Sequence, residues 1–139
     1  MLAENIVGDF VKAAGRAFPG GAANPNGTLT VQIQDDHHFD RQIIIPTISF
    51  AGGIKYYDRG TITTTCGLVV KHNGKEIYNA PPTSSGGSFG TVLDMPAGGG
   101  NVTLSFTVSS QWSYGGVWPY ISSLLVMVVK KSSNGISIY

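Results

Sequence analysis

The sequence predicts a mainly β protein: an antiparallel β-sandwich or jelly roll with one short N-terminal α-helix. Three observations carry that expectation. From residue 28 onward, β-rich runs recur at short spacing, separated by Gly, Pro, Asn and Ser, with no helical pattern between them. Several of these runs alternate apolar and polar residues, the period of a strand with one wet face. Asn73-Gly74 sits between two such runs, and a type I′ hairpin turn favours that dipeptide because both of its positions need positive φ.

The helix is expected over residues 1–18. Leu2, Ile6, Phe10, Val11, Ala14 and Phe18 recur at three- and four-residue intervals. Glu4 and Asp9 precede Lys12 and Arg16, which suits the helix dipole, and Pro19-Gly20-Gly21 ends the pattern. Gly8 and Gly15 weaken it, so the helix needs a surface to lie on. Residues 19–27 form a Gly/Pro/Asn linker, and residues 28–139 a single sandwich domain, since a second core is hard to build in 139 residues.

The expected strands follow in order. Thr28 to Gln34 alternates, with Leu29, Val31 and Ile33 on one face. Arg41 to Ala51 is broken or bulged at Pro46. Gly60 to Lys71 leads into the Asn73-Gly74 hairpin and its return strand. Ala80 to Gly90 is a loop, and Ser88 to Met95 a short strand. Asn101 to Ser109 alternates, Gln111 to Tyr120 is an aromatic loop, and Ile121 to Lys131 is the last long strand. A small strand is expected at Ile136 to Tyr139.

Two segments do not alternate: Ile43-Ile44-Ile45 and Leu124 to Val129 are apolar toward both sheet faces. At about 25 cal/mol per Å² of apolar surface removed from water, leaving one such face wet forfeits several kcal/mol. The helix or a second copy of the chain is expected to cover it. The subunit-interface candidates are Leu2, Ile6, Phe10, Val11, Phe18, Ile43, Ile45, Leu125, Met127 and Val129.

Composition narrows the function. Charged residues are 12% of the chain and the net charge is +1, with no basic run beyond Lys130-Lys131. The electrostatic footprint of a nucleic-acid binder is therefore missing. The lone cysteine, Cys66, excludes an internal disulfide and reads as a small core hydrophobe. The start, interrupted by Glu4, Asn5 and Asp9, does not read as a Sec signal, and no apolar run is long enough to span a bilayer, so synthesis in the cytoplasm is expected.

Catalytic machinery is not apparent. No Gly-x-Ser-x-Gly elbow occurs, and the Gly-rich stretches follow no phosphate-loop spacing. The densest polar cluster is Asp35-Asp36-His37-His38-Phe39-Asp40. In an extended chain Asp36, His38 and Asp40 share one face, the candidate ligand set for a divalent ion; the plainer reading is a polar loop with an Asp capping its turn. The aromatic loop supplies the ligand-binding candidates Trp112, Tyr114, Trp118 and Tyr120, either as a platform for sugar rings or as an anchor at a protein interface, and Tyr56-Tyr57 join them if the loops cluster.

These features point first to a non-enzymatic protein that self-associates, with the profile of a virus or phage particle component such as a coat, decoration or tail accessory protein. The expected partners are copies of itself or other particle proteins, and the expected place is the particle surface. A glycan- or cell-surface-binding module using residues 111–120 is the alternative, and a membrane-active protein using the helix the third. No cofactor is expected.

Overall fold

The computed structural model describes residues 10–21 and 24–131. Ten strands are found there: β1 (Phe10–Arg16), β2 (Gly27–Ile33), β3 (Arg41–Ala51), β4 (Gly53–Tyr57), β5 (Gly60–His72), β6 (Lys75–Thr83), β7 (Gly87–Met95), β8 (Val102–Gln111), β9 (Tyr120–Ile121) and β10 (Leu124–Lys130). One sheet runs β1-β10-β3-β7, with β9 also on β3; the other runs β2-β8-β5-β4, with β6 also on β5. All pairings are antiparallel. The arrangement is sandwich-like, as the alternation predicts.

The N-terminal helix is not borne out, and among the described residues there is no helix. Residues 10–16 of the expected helix are instead β1, paired antiparallel with β10 from Phe10↔Val129 to Arg16↔Leu124. The physical reason is competition for backbone hydrogen bonds. Strand β10 is nearly all apolar, and without β1 one side of it would be an open edge. Pairing satisfies both backbones, whereas an isolated helix with Gly15 inside it gains little from propensity. The amphipathic membrane reading loses its basis over these residues. Leu2 and Ile6 lie outside the described residues, as does the expected strand at 136–139.

The hairpin expectation holds: Asn73 and Gly74 have φ of 50° and 84°, and His72 pairs with Lys75. Two other segments differ from expectation. The 80–90 loop is shorter, because β6 continues through Pro81-Pro82 to Thr83 at the sheet's edge, where a missing N–H is tolerated. Strand β4, unforeseen, pairs with the first half of β5.

The core lies between the sheets. Ile43, Ile45, Ile48 and Phe50 of β3, with Leu124, Val126 and Val128 of β10, are buried together with Leu68 and Val70 of β5 and Leu104, Phe106 and Val108 of β8. The pairing of β3 with β7 shifts register between Ile45 and Ile48, around Pro46. That bulge turns Ile48 and Phe50 inward in phase with Ile43 and Ile45, while Thr47 is exposed. Cys66 is fully buried, and burial pushes its thiol up from 9.0 to about 11. It is inert packing, as expected of a core cysteine.

Candidate functional site

The strand register gives the sandwich two chemically different ends. At one lie the starts of β3 and β8, the ends of β2, β7 and β10, and the β5–β6 turn. Phe10 and Lys131, the ends of the described chain, are here too, through the Phe10↔Val129 pairing and a Lys131 N–H···O Asp40 bond of 2.9 Å. At the opposite end lie residues 17–21 and 24–26, the β3–β4 connection and the 111–123 segment.

The first end is a polar knot. Arg41 is fully buried, with Asp35 at 3.4 Å, Asp36 at 3.5 Å and the Gln34 carbonyl at 3.2 Å. The Asp35 carboxylate accepts from the N–H groups of Gly100 (2.8 Å) and Gly98 (3.4 Å), and Asn101 Oδ1 accepts from the Asp35 N–H at 2.8 Å. Asp40 Oδ1 accepts from Ala97 N–H at 3.0 Å. The 34–41 loop thus clamps the 96–101 turn. The candidate metal ligands Asp36, His38 and Asp40 lie in this loop. Among the described residues no group of three or more His, Cys, Asp or Glu side chains is placed to hold a metal ion. Asp36 faces His37 (2.6 Å) and Arg41, and Asp40 caps a backbone amide, so these carboxylates already have cationic or amide partners.

The second end is aromatic. Trp112 and Trp118 stack, with centroids 4.4 Å apart and planes 11° off parallel, and Tyr114 meets Trp112 edge-on at 6.4 Å. Trp112 Nε1–H donates to the Gly116 carbonyl at 3.0 Å, which closes the loop on itself. Thr64, buried on β5, donates to the Val117 carbonyl at 2.6 Å, and the Tyr57 hydroxyl donates to the Gly115 carbonyl. The loop lies so close to β5 that a Cβ on Gly116 would sit 2.9 Å from Ile62 Cγ2. A rigid floor thus holds up exposed rings: Tyr114 is 91% exposed, Trp118 60% and Tyr120 55%. Alternation splits the Tyr56-Tyr57 pair. Tyr57 faces the loop on the same side as Lys55, whose ammonium lies 5.6 Å from its ring centroid, while exposed Tyr56 points to the other face of the β4–β5 hairpin with Ile54.

Beside Trp118 is a cavity of about 680 Å³ lined by residues of two separate segments, among them Ala17, Phe18, Pro25, Trp118, Tyr120 and Ser123. Gly21 and Pro25, from the described part of the expected linker, supply part of the wall. Gly20, at φ 98°, lets the chain turn, and Asn26 N–H donates to the Pro19 carbonyl at 3.0 Å. Asn26 Oδ1 accepts from Ser110 N–H at 2.9 Å, and the Ser110 hydroxyl donates to the Pro25 carbonyl at 2.8 Å, which fastens the segment to the end of β8. Nothing in sequence reasoning pointed to Pro25, Asn26 or Ala17; their role depends on a turn meeting a strand 84 residues away.

The expected interface residues separate by face. Phe18, Ile43 and Ile45 are buried in this chain's own core, turned away from the outer face. The outward residue of the isoleucine run is Ile44. Leu125, Met127 and Val129 do face outward, exposed or half-buried. Register puts Ala13, Met127, Ile44 and Val92 in one row across four strands. For Phe10 and Val11 the described feature is their backbone place in β1.

Residues 14–139 match the family model described as "Tip attachment protein J, C-terminal receptor binding domain". The match runs through both sheets and both ends, and the chain belongs to that family.

Proposed function

We propose that this member of the tip attachment protein J receptor-binding family is a non-enzymatic tail-tip domain that meets the host receptor with its aromatic end. The observation that carries the reading is the set of Tyr114, Trp118 and Tyr120, exposed on a loop made rigid by the Trp112–Trp118 stack. Large rings already held in place lose little conformational entropy on binding, and such residues dominate binding energies at interfaces.

Competition for phage adsorption tests this. Purified domain, mixed with host cells before the phage that carries it, is expected to slow adsorption. The Tyr114→Ala/Tyr120→Ala variant is expected to lose at least about tenfold in potency, the loss of about 1.4 kcal/mol or more that follows from removing interface anchors.

A second reading concerns self-association. The outer row Ala13–Met127–Ile44–Val92, with Leu125 39% and Val92 54% exposed, is an apolar face that a second copy of the chain would cover. Light scattering at rising concentration tests it. An oligomer that Met127→Lys returns to monomer supports the reading, and a wild-type monomer throughout rejects it.

A further inference from the structure

We infer that the cavity beside Trp118 is a binding site for an uncharged pyranose ring, stacked on the indole face that Trp112 leaves open. This deepens the receptor-contact reading and rests on it for its biological meaning.

Three features of the site point to that ligand class. First, one face of Trp118 is covered by the parallel ring of Trp112 at 4.4 Å, yet Trp118 remains 60% exposed, so its open surface is the other face and the edges. An aromatic face carries negative charge density, and the C–H face of a pyranose is its electropositive complement. Second, the described lining residues include no charged side chain. An acidic sugar, a phosphate or an amine would find no opposite charge there to replace the hydration it gives up. Third, the lining joins the carbon surfaces of Phe18 and Pro25 to two hydroxyl-bearing residues, Tyr120 and Ser123. A purely aliphatic guest offers such residues no hydrogen bond, whereas a sugar's own hydroxyls can pair with them. The size also fits: about 680 Å³ falls within the ~300–1,000 Å³ typical of small-molecule sites. The wall is pre-formed, because Asn26 and Ser110 hold Pro25 in place.

The chain's two tryptophans are both at this site, so intrinsic fluorescence reports it directly. The probes are the methyl glycosides of glucose, galactose and N-acetylglucosamine, with methyl glucuronide as the charged counterpart. At least one neutral glycoside is expected to change tryptophan emission saturably in the millimolar range, and the glucuronide to bind at least about tenfold more weakly. Ala17→Phe keeps both indoles and fills the cavity from an exposed position, so it should weaken binding by about tenfold or more with an unchanged melting temperature. Trp118→Ala, followed by saturation-transfer NMR in place of fluorescence, should lose the neutral ligand. No saturable response from any neutral glycoside overturns the assignment, as does equal binding of glucuronide or undiminished binding by Ala17→Phe. If the glycosides fail while the domain still blocks adsorption through Tyr114 and Tyr120, the sugar assignment falls and the receptor reading stands. If they bind while the domain never competes, the pocket stands and the receptor reading falls.

Discussion

The two ends of the sandwich treat their functional groups in opposite ways. At the polar end, charged side chains are engaged by one another and by the backbone: buried Arg41 holds Asp35 and Asp36, and Asp35 and Asp40 take up the amides of the 96–101 turn. At the aromatic end, polar groups are spent on the floor, through Thr64, Tyr57 and the Trp112 indole N–H, while the rings above are left in water. A cluster rich in carboxylates and histidines is here scaffolding, and a cluster of rings is the feature left exposed. Residue type alone would suggest the reverse, and it is the burial of the hydrogen-bonding partners that tells the ends apart.

Breaking the polar end should have the largest effect on stability. Arg41→Ala leaves Asp35, with only 10% of its side chain exposed, without its counter-ion, and about 3–5 kcal/mol of stability should be lost in urea unfolding. Partner binding, measured on the fraction that remains folded, should be unchanged. The core between the ends responds to pH. Folding raises the Cys66 thiol from 9.0 to about 11, so in that window the unfolded chain loses its proton first. Stability should therefore fall as pH rises from 9 toward 11, by up to about 2–3 kcal/mol, and Cys66→Ala should flatten that slope. At the aromatic end, Trp112→Ala removes the stack and the bond to Gly116, and about 2 kcal/mol should be lost together with adsorption competition. The smallest stability effect belongs to Tyr114→Ala: at 91% exposure it should change unfolding by no more than about 0.5 kcal/mol, yet weaken competition severalfold. An aromatic-end variant that destabilises as much as Arg41→Ala would erase the distinction between the ends.

Much of this was legible in the sequence because it depends on local pattern. Asn73-Gly74, the alternation of Leu104, Phe106 and Val108, and the two-faced run Leu124 to Val129 each state their own geometry. The parity of Ile43-Ile44-Ile45 was not legible, since three equal residues give no sign of which faces inward; strand register decides it. Residues 10–16 failed for a different reason. Their three- and four-residue spacing is compatible with a helix, but the demand of β10 for an edge partner lies more than 100 residues away. The aromatic loop was recognisable by composition, while the cavity beside it was not, because Ala17, Pro25 and Trp118 meet only through the Asn26–Ser110 hydrogen bonds. Long-range pairing is what a local reading misses in each case.

The most direct test of the central claim is adsorption competition by three purified proteins: wild type, Tyr114→Ala/Tyr120→Ala, and a polar-end surface variant, Lys131→Ala/Asp94→Ala, which removes an exposed ion pair of 3.2 Å. The receptor-contact assignment predicts that the wild type and the polar-end variant compete equally, and that the aromatic-end variant loses at least about tenfold. Loss of competition in the polar-end variant, with the aromatic-end variant unimpaired, would place the receptor contact at the wrong end of the molecule and contradict the assignment.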